Sequence, residues 1–336
     1  MTYCVGTAIR SAPLRSVKRL KGDTVPGPGI LVLISLVEQW HDELGREFEI
    51  HHVRPEDDRM AVIAAAGGPI RAVITNGTTG IDTATMDELP GLEAICSFSA
   101  GYENVDVTVA RARGIAVTHG PGVNAASAAD HAIGLMIASG RGIAWRDRLV
   151  RDGEWVTARG LSPTVSGKRL GIIGLGAVGA AIARRAAAFD MTIAYHNRRR
   201  RTDVEYDYVE SVPALAGQSD YLIVSCPGGA ATRHIVDGHV LQALGPDGHL
   251  VNIARGSVVD TKSLIKALEN RSIAGAALDV FEDEPRVPEA LKRFDNVVLS
   301  PHVAGFTPEA FRAGFELLRE NLRAHFANRI LPTPVS

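Results

Sequence analysis

The chain has 336 residues, 46% of them hydrophobic and 22% charged, with a formal net charge of -2. That length is too great for one compact core, so two domains are expected, and the near-neutral charge offers no global field to nucleic acid or an anionic membrane. The longest early apolar run, ILVLISLV at 30–37, falls well short of the roughly 20 residues of a membrane span.

The first 29 residues are basic, with Arg10, Arg15, Lys18, Arg19 and Lys21 ahead of the first acid, Asp23. No cleavage-like pattern accompanies them. They read as a disordered leader or a mischosen start rather than a targeting presequence. From residue 30 the chain alternates short β-branched runs with helical stretches, the pattern of parallel α/β architecture. Strands are predicted at 30–35, 48–53, 71–77, 92–101 and 114–120. A long helix follows from about Asn124 to Arg141, with Ala126, Ala129, Ile133 and Ile137 near one face. The next stretch, 141–160, places Trp145 and Trp155 among five arginines, a composition that suggests a subunit interface and hence a homodimer. A second strand series is predicted at 168–174, 191–197, 221–227, 249–254, 274–280 and 296–302, giving a six-stranded doubly wound sheet. An amphipathic helix opened by Pro308 ends the chain.

Cys4, Cys96 and Cys226 are the only cysteines, and no C-x-x-C occurs. This argues against a disulfide framework or structural zinc, and fits a reducing cytoplasm. Cys226 reads as a buried inert thiol. His51 and His52 lack metal-ligand spacing, and His119, His131 and His234 read as structural, so no metal site is expected.

Gly174, Gly176 and Gly179 form G-x-G-x-x-G between a buried strand and a helix. In that context the first glycine makes the tight turn, the second admits a pyrophosphate, and the third lets helix and strand pack closely. The pyrophosphate would sit at the positive helix end. About 20 residues beyond the first glycine, NAD sites carry an acid for the ribose 2′-hydroxyl. Here Met191 to Arg201 contains no acid and closes on Arg198, Arg199, Arg200 and Arg201. Arginine forks bind a 2′-phosphate, so NADP(H) is preferred and NAD(H) is possible. Arg198 and Arg199, nearer the strand end, are the favoured contacts.

Arg255, Asp279, Glu284 and His302 all lie at or just past predicted strand ends, the edge where ligands bind in open α/β sheets. Each alone has an ordinary explanation as a turn, capping or solvent-facing residue. Together on one edge they suggest chemistry. The segments GIIGLGAVG, NIARGSVVD, LDVFEDEP and PHVAG occur in the order seen in the D-isomer-specific 2-hydroxyacid dehydrogenases, which the chain resembles from about residue 60 onward. Within that family it looks most like the glyoxylate/hydroxypyruvate reductases, through VITNGTTG, SAGYENVD, HGPGVNAASAADHA, YHNRR and CPGGAATRHIV. The basic leader is the part the family pattern does not explain.

The resemblance implies two doubly wound parallel-sheet domains: a flavodoxin-like substrate domain and a Rossmann cofactor domain. The expected division is 1–118 for the substrate domain, 119–304 for the dinucleotide domain with a dimerisation arm at about 124–160, and 305–336 for a helix returning to the substrate domain. It implies a catalytic set of Arg255, Glu284 and His302. Arg255 would bind the substrate carboxylate and polarise the carbonyl, His302 would donate the proton, and Glu284 would fix its tautomer and favour the charged ring.

Asp279 would hold the nicotinamide carboxamide. Cofactor contacts are implied along Gly174, Leu175, Gly176, Ala177, Val178 and Gly179, and at Asn197, Arg198 and Arg199. Further contacts are implied at Cys226, Pro227, Thr232, Ile253, Ala254, Arg255, Asp279, His302 and Gly305. The substrate carboxylate would meet loop backbones at Thr78–Thr79 and Ala100–Gly101, with Asn76 beside them. The reaction expected is NADPH-linked reduction of small 2-oxo acids. A non-catalytic dinucleotide-sensing corepressor and an NAD-linked phosphoglycerate-type dehydrogenase are the alternatives.

Overall fold

The computed structural model describes residues 27–54, 57–66 and 70–335. Residues 1–26, where a basic leader was expected and which include Cys4, lie outside the described residues. The described chain separates into two compact units. One comprises residues up to Pro121 and from Ala313 onward, and the other is Gly122–Arg312.

The first unit holds strands β1 (Gly29–Val32), β2 (Glu49–His52), β3 (Ile70–Thr75), β4 (Ala94–Ser97) and β5 (Ala116–Thr118), ordered β2-β1-β3-β4-β5. Every pairing is parallel, which gives the flavodoxin-like order. Strands β1 and β4 are buried at every position, as parallel strands covered on both faces must be. Phe315, Leu318 and Leu322 of the helix Pro308–Phe326 join Ile30, Val32 and Ile74 in the core on one face. The Phe315 ring stacks on Trp40 at 5.0 Å. Truncating so buried an aromatic side chain costs about 3–5 kcal/mol.

The second unit holds β6 (Arg169–Ile173), β7 (Thr192–His196), β8 (Asp207–Tyr208), β9 (Tyr221–Val224), β10 (His249–Asn252), β11 (Gly275–Leu278) and β12 (Val297–Leu299). Their order is β12-β11-β10-β9-β6-β7-β8, again all parallel. This is the Rossmann order with one added edge strand. The sheet therefore has seven strands, not the six expected. The edge strand beyond the Rossmann order is β12, while the strand not expected from sequence is β8, which pairs only Asp207 and Tyr208 with β7 and is too short to leave a periodic signal. The strand order reverses between β6 and β9, where Ile173 aligns with Val224. Gly174 and Ser225 thus emerge side by side at the switch point.

One face of this sheet is covered by the helix Ala125–Arg141, which carries Ala129, Ala132, Ile133 and Met136 into the core. Gly140 is required there by contact: a Cβ would lie 2.1 Å from the Tyr221 hydroxyl. The helix ends where Gly142 adopts φ 61 and its N–H turns back to Ala138 and Ser139, a left-handed cap. The 141–160 stretch then forms two short helices, Ile143–Arg151 and Trp155–Ala158. Trp155 and Val156 are exposed on it, as is Leu161 just beyond it.

Candidate active site

The turn after β6 shows why each glycine is present. Gly174 has φ +96, and a Cβ on it would lie 2.6 Å from the Cys226 backbone. A Cβ on Gly179 would lie 2.2 Å from the Gly174 carbonyl oxygen. Both are demanded by the protein's own packing. Gly176 is different. Its φ is -82, and nothing lies within 4 Å of where its Cβ would be. The fold does not need glycine there, so the open space beside it suits a ligand that approaches the backbone. Gly176 also N-caps the helix Ala177–Ala187 without any side-chain cap. The helix's first N–H groups are therefore left to a ligand or water. These residues fit a dinucleotide pyrophosphate.

The loop after β7 is fastened to this turn. Leu175, between the first two glycines, donates its N–H to Asn197 Oδ1 at 2.6 Å, and its carbonyl accepts from Arg201 Nη1 at 3.0 Å. Arg201 is also paired with Asp203, and its N–H donates to the Tyr195 hydroxyl. Arg201 is thus committed to holding the loop. Arg198, Arg199 and Arg200 are exposed, with no partner among the described residues. The four-arginine run divides into one structural residue and three presented outward.

Three loops at the carboxyl edge carry the remaining residues. Arg255 follows β10, and its Nη1 donates to the Ala254 carbonyl at 2.7 Å. Its stem lies over Gly228, where a Cβ would be 2.8 Å from Arg255 Cγ. The next residue, Gly256, presses on the backbone of Phe281 and Glu282 so closely that a Cβ would sit 1.9 Å from the Phe281 carbonyl carbon. That contact brings the Arg255 loop against the loop that follows β11. In the latter loop Glu284 accepts the Phe281 N–H on Oε1 at 3.0 Å and faces His302 Nδ1 with Oε2 at 2.8 Å. A carboxylate can only accept, so Nδ1 carries the hydrogen and Nε2 is left for a reacting atom.

His302 itself has φ +56, a left-handed backbone that costs a non-glycine residue free energy and needs support. Asp279 supplies it. The His302 N–H donates to the Asp279 carbonyl at 2.7 Å. The Asp279 carboxylate, 0% exposed, accepts from the Ser300 hydroxyl at 2.6 Å, Val303 N–H at 3.0 Å and Ala304 N–H at 2.9 Å. Burial pushes its pKa up, but hydrogen bonds from His131, Ser300, Val303 and Ala304 outweigh that and hold it below the usual aspartate range. His131 Nε2 lies 2.9 Å from Ser300 Oγ and 3.2 Å from Asp279 Oδ1. The Ser300 hydroxyl already donates to Asp279, so His131 must carry hydrogen on Nε2.

Residues 133–304 match the D-isomer specific 2-hydroxyacid dehydrogenase, NAD binding domain. The chain is 43% identical, over 91% of its length and 98% of the relative's, to glyoxylate/hydroxypyruvate reductase A HPR2 of Arabidopsis thaliana. The chain belongs to the D-isomer-specific 2-hydroxyacid dehydrogenase family. A second relative, hydroxyphenylpyruvate reductase of Plectranthus scutellarioides, is 42% identical over 91% of the chain and 98% of its own. Among solved structures, an NADPH-dependent glyoxylate/hydroxypyruvate reductase from Sinorhizobium meliloti, in complex with NADP and malonate, superposes with a TM-score of 0.85. It is 41% identical, over 92% of this chain and 97% of that one.

Several residues of this dehydrogenase expected at the cofactor shape the site through the fold. Cys226 is buried, which pushes its thiol up to about 11, and it packs under Gly174. Thr232 closes its own loop, donating to the Pro227 carbonyl at 2.7 Å. Ala254 N–H is taken by Asn252 Oδ1 at 3.0 Å, and Ile253 N–H donates to Val224 at 3.3 Å. Gly305 is required by the Asn124 amide, 2.7 Å from where a Cβ would be. Asp279, expected on a carboxamide, has no exposed surface and carries the His302 loop. His131 and His234, read from sequence as structural, both join the networks behind the loops that carry Arg255, Glu284 and His302. No signal within their own segments marks them, because their partners are distant in sequence.

The loops after β3 and β4 in the first unit are held by their own side chains. Thr78 and Thr79 donate their N–H groups to Asn76 Oδ1, at 3.0 and 2.7 Å. Asn76 thus makes a side-chain turn that occupies the two groups expected for a substrate carboxylate. In the neighbouring loop, the Ala100 carbonyl is bound by His119 Nδ1 at 2.9 Å and the Gly101 carbonyl by Ser97 Oγ at 2.7 Å. Both carbonyls are thus taken by side-chain donors of the same unit.

Proposed function

We propose that the chain reduces small 2-oxo acids of the glyoxylate and hydroxypyruvate type to 2-hydroxy acids, with NADPH preferred over NADH. The observation that carries this reading is the His302–Glu284 contact at 2.8 Å, on the same sheet edge as Arg255 and the glycine turn. With its pyrophosphate held at that turn, NADPH would supply the hydride from its nicotinamide. Arg255 holds the substrate carboxylate and draws the carbonyl electrons toward the oxygen. His302 delivers a proton from Nε2 to that oxygen. Glu284 keeps the ring oriented and balances the imidazolium.

The coenzyme preference rests on Arg198 and Arg199, exposed on a loop that carries no acid before Asp203, and is in keeping with the NADP held by the Sinorhizobium meliloti relative. The residues before Pro121 and after Arg312 form the substrate domain in this reading, and Gly122–Arg312 the cofactor domain. The exposed Trp155, Val156 and Leu161 support a homodimer built on the 124–160 region. The test is a panel of glyoxylate, hydroxypyruvate, pyruvate and hydroxyphenylpyruvate against NADPH and NADH, followed by coenzyme absorbance. Turnover of the small acids with an NADPH preference is the expected result. Tight NADPH binding without turnover of any of them would overturn the reading.

A further inference from the structure

Glu282 and Glu284 stand one residue apart, and each holds a histidine. Glu284 faces His302; Glu282 Oε1 lies 2.6 Å from His234 Nε2. Both histidines adopt left-handed backbone, His302 at φ +56 and His234 at φ +52. Such conformations persist in non-glycine residues only when the surroundings enforce them.

The surroundings of His234 are three loops. Its N–H donates to the Ser257 carbonyl at 2.9 Å, joining it to the Arg255 loop. Glu282 completes the tie, since its Oε2 accepts the Thr261 N–H at 3.2 Å from the far end of that loop. Arg255 is gripped from both sides, its stem over Gly228 and its neighbour Gly256 against Phe281 and Glu282. Burial alone pushes the Glu282 carboxyl up, yet hydrogen bonds from Thr261 and His234 bring it below the usual glutamate range. The Glu282–His234 pair is partly shielded and shares its carboxylate with a main-chain donor.

We propose that His234 is a positioning residue: through Glu282 it clamps the 228–234, 255–261 and 281–284 loops together and so sets the placement of Arg255 relative to the Glu284–His302 pair. This rests on the reductase reading above. The clamp acts on the groups that meet the oxo acid and leaves the glycine turn and the Asn197–Arg201 loop untouched.

The test uses the full chain with His234→Ala, His234→Gln, Glu282→Gln and the double variant His234→Ala/Glu282→Gln. In His234→Ala, kcat/KM for the oxo acid falls by up to about 10²-fold, the scale of a small misplacement of reacting groups, while KM for NADPH stays near the wild-type value. His234→Gln keeps a donor at similar reach and recovers most of the loss. The double variant is no worse than His234→Ala, because the two residues act as one unit. Hydrogen–deuterium exchange supplies a readout independent of turnover: amides of 256–261 and 281–284 exchange faster in His234→Ala and at the wild-type rate in His234→Gln. Unchanged kcat/KM, or an equal loss on oxo acid and NADPH that only tracks Tm, overturns the proposal. Should the wild type reduce no oxo acid, the reductase reading fails and exchange alone decides the clamp, with unchanged exchange refuting it.

Discussion

His302 Nδ1 stands 2.8 Å from Glu284 Oε2, and that contact leaves the other ring nitrogen as the only one able to meet a substrate. Replacing His302 by Ala is expected to lower kcat by about 10²–10⁴-fold, the usual worth of a positioned general acid, with little change in KM for NADPH. Steady-state NADPH oxidation with glyoxylate measures it. An unaltered kcat removes His302 from the role.

Arg198 and Arg199 are presented outward while Arg201 is consumed by Leu175 and Asp203. The double variant Arg198→Ala/Arg199→Ala should raise KM for NADPH by about 10- to 100-fold, from the loss of charge-assisted hydrogen bonds of about 1.5–3 kcal/mol. KM for NADH should stay nearly constant. Equal losses on both coenzymes would mean that the two arginines serve the loop instead of the phosphate.

The three glycines of the turn should separate into two classes. Gly176→Ala meets no neighbour within 4 Å and should cost less than about 1 kcal/mol of stability, yet block the thermal stabilisation that NADP gives. Gly174→Ala forces a side chain onto the Cys226 backbone at φ +96 and should cost about 2 kcal/mol or more before any ligand is added. Melting curves with and without NADP distinguish the two.

Asp279 links buried charge to acid stability. Its folded pKa is depressed, so its contribution is full above the unfolded aspartate value, about 3.9, and is lost as pH falls through the lower folded value. Asp279→Asn should therefore lose about 2 kcal/mol or more at pH 7, and the gap to wild type should narrow on approaching pH 3. Denaturant melts across that range test the sign; a constant gap would show that the loss lies in packing alone.

Both described cysteines should be inert in the native protein. Burial pushes the Cys96 and Cys226 thiols up to about 11, so only about 0.1% of either is thiolate at pH 8. Iodoacetamide at that pH should modify their peptides after unfolding and spare them before. Rapid native labelling of Cys226 would contradict its packing beneath Gly174.

The strands are legible in the sequence because parallel strands buried on both faces are continuous apolar runs, as in Tyr221–Val224 and Gly275–Leu278. Their ends are not, since the apolar run continues into loops that carry ligand-edge residues. Nor is β8, where two residues cannot show periodicity. Among site residues, the glycine turn and the Arg255, Glu284 and His302 segments were legible from local motifs. What was not legible depends on long-range pairing. His131 meets Ser300 across 169 positions and His234 meets Glu282 across 48. The capture of the Thr78 and Thr79 N–H groups by Asn76 is local, but depends on a side-chain rotamer. Which of four consecutive arginines turns inward was equally hidden, because composition treats Arg198 and Arg201 alike.

The loop after β7 keeps its shape through Asn197 and Arg201, which grip the two polar atoms of Leu175, and not through the arginines between them. If the reading of Arg198 and Arg199 holds, scaffold and selectivity are written in different codons. Charge at 198–200 is free to be rewritten, by drift or by design, toward a different redox currency without re-forming the turn beneath.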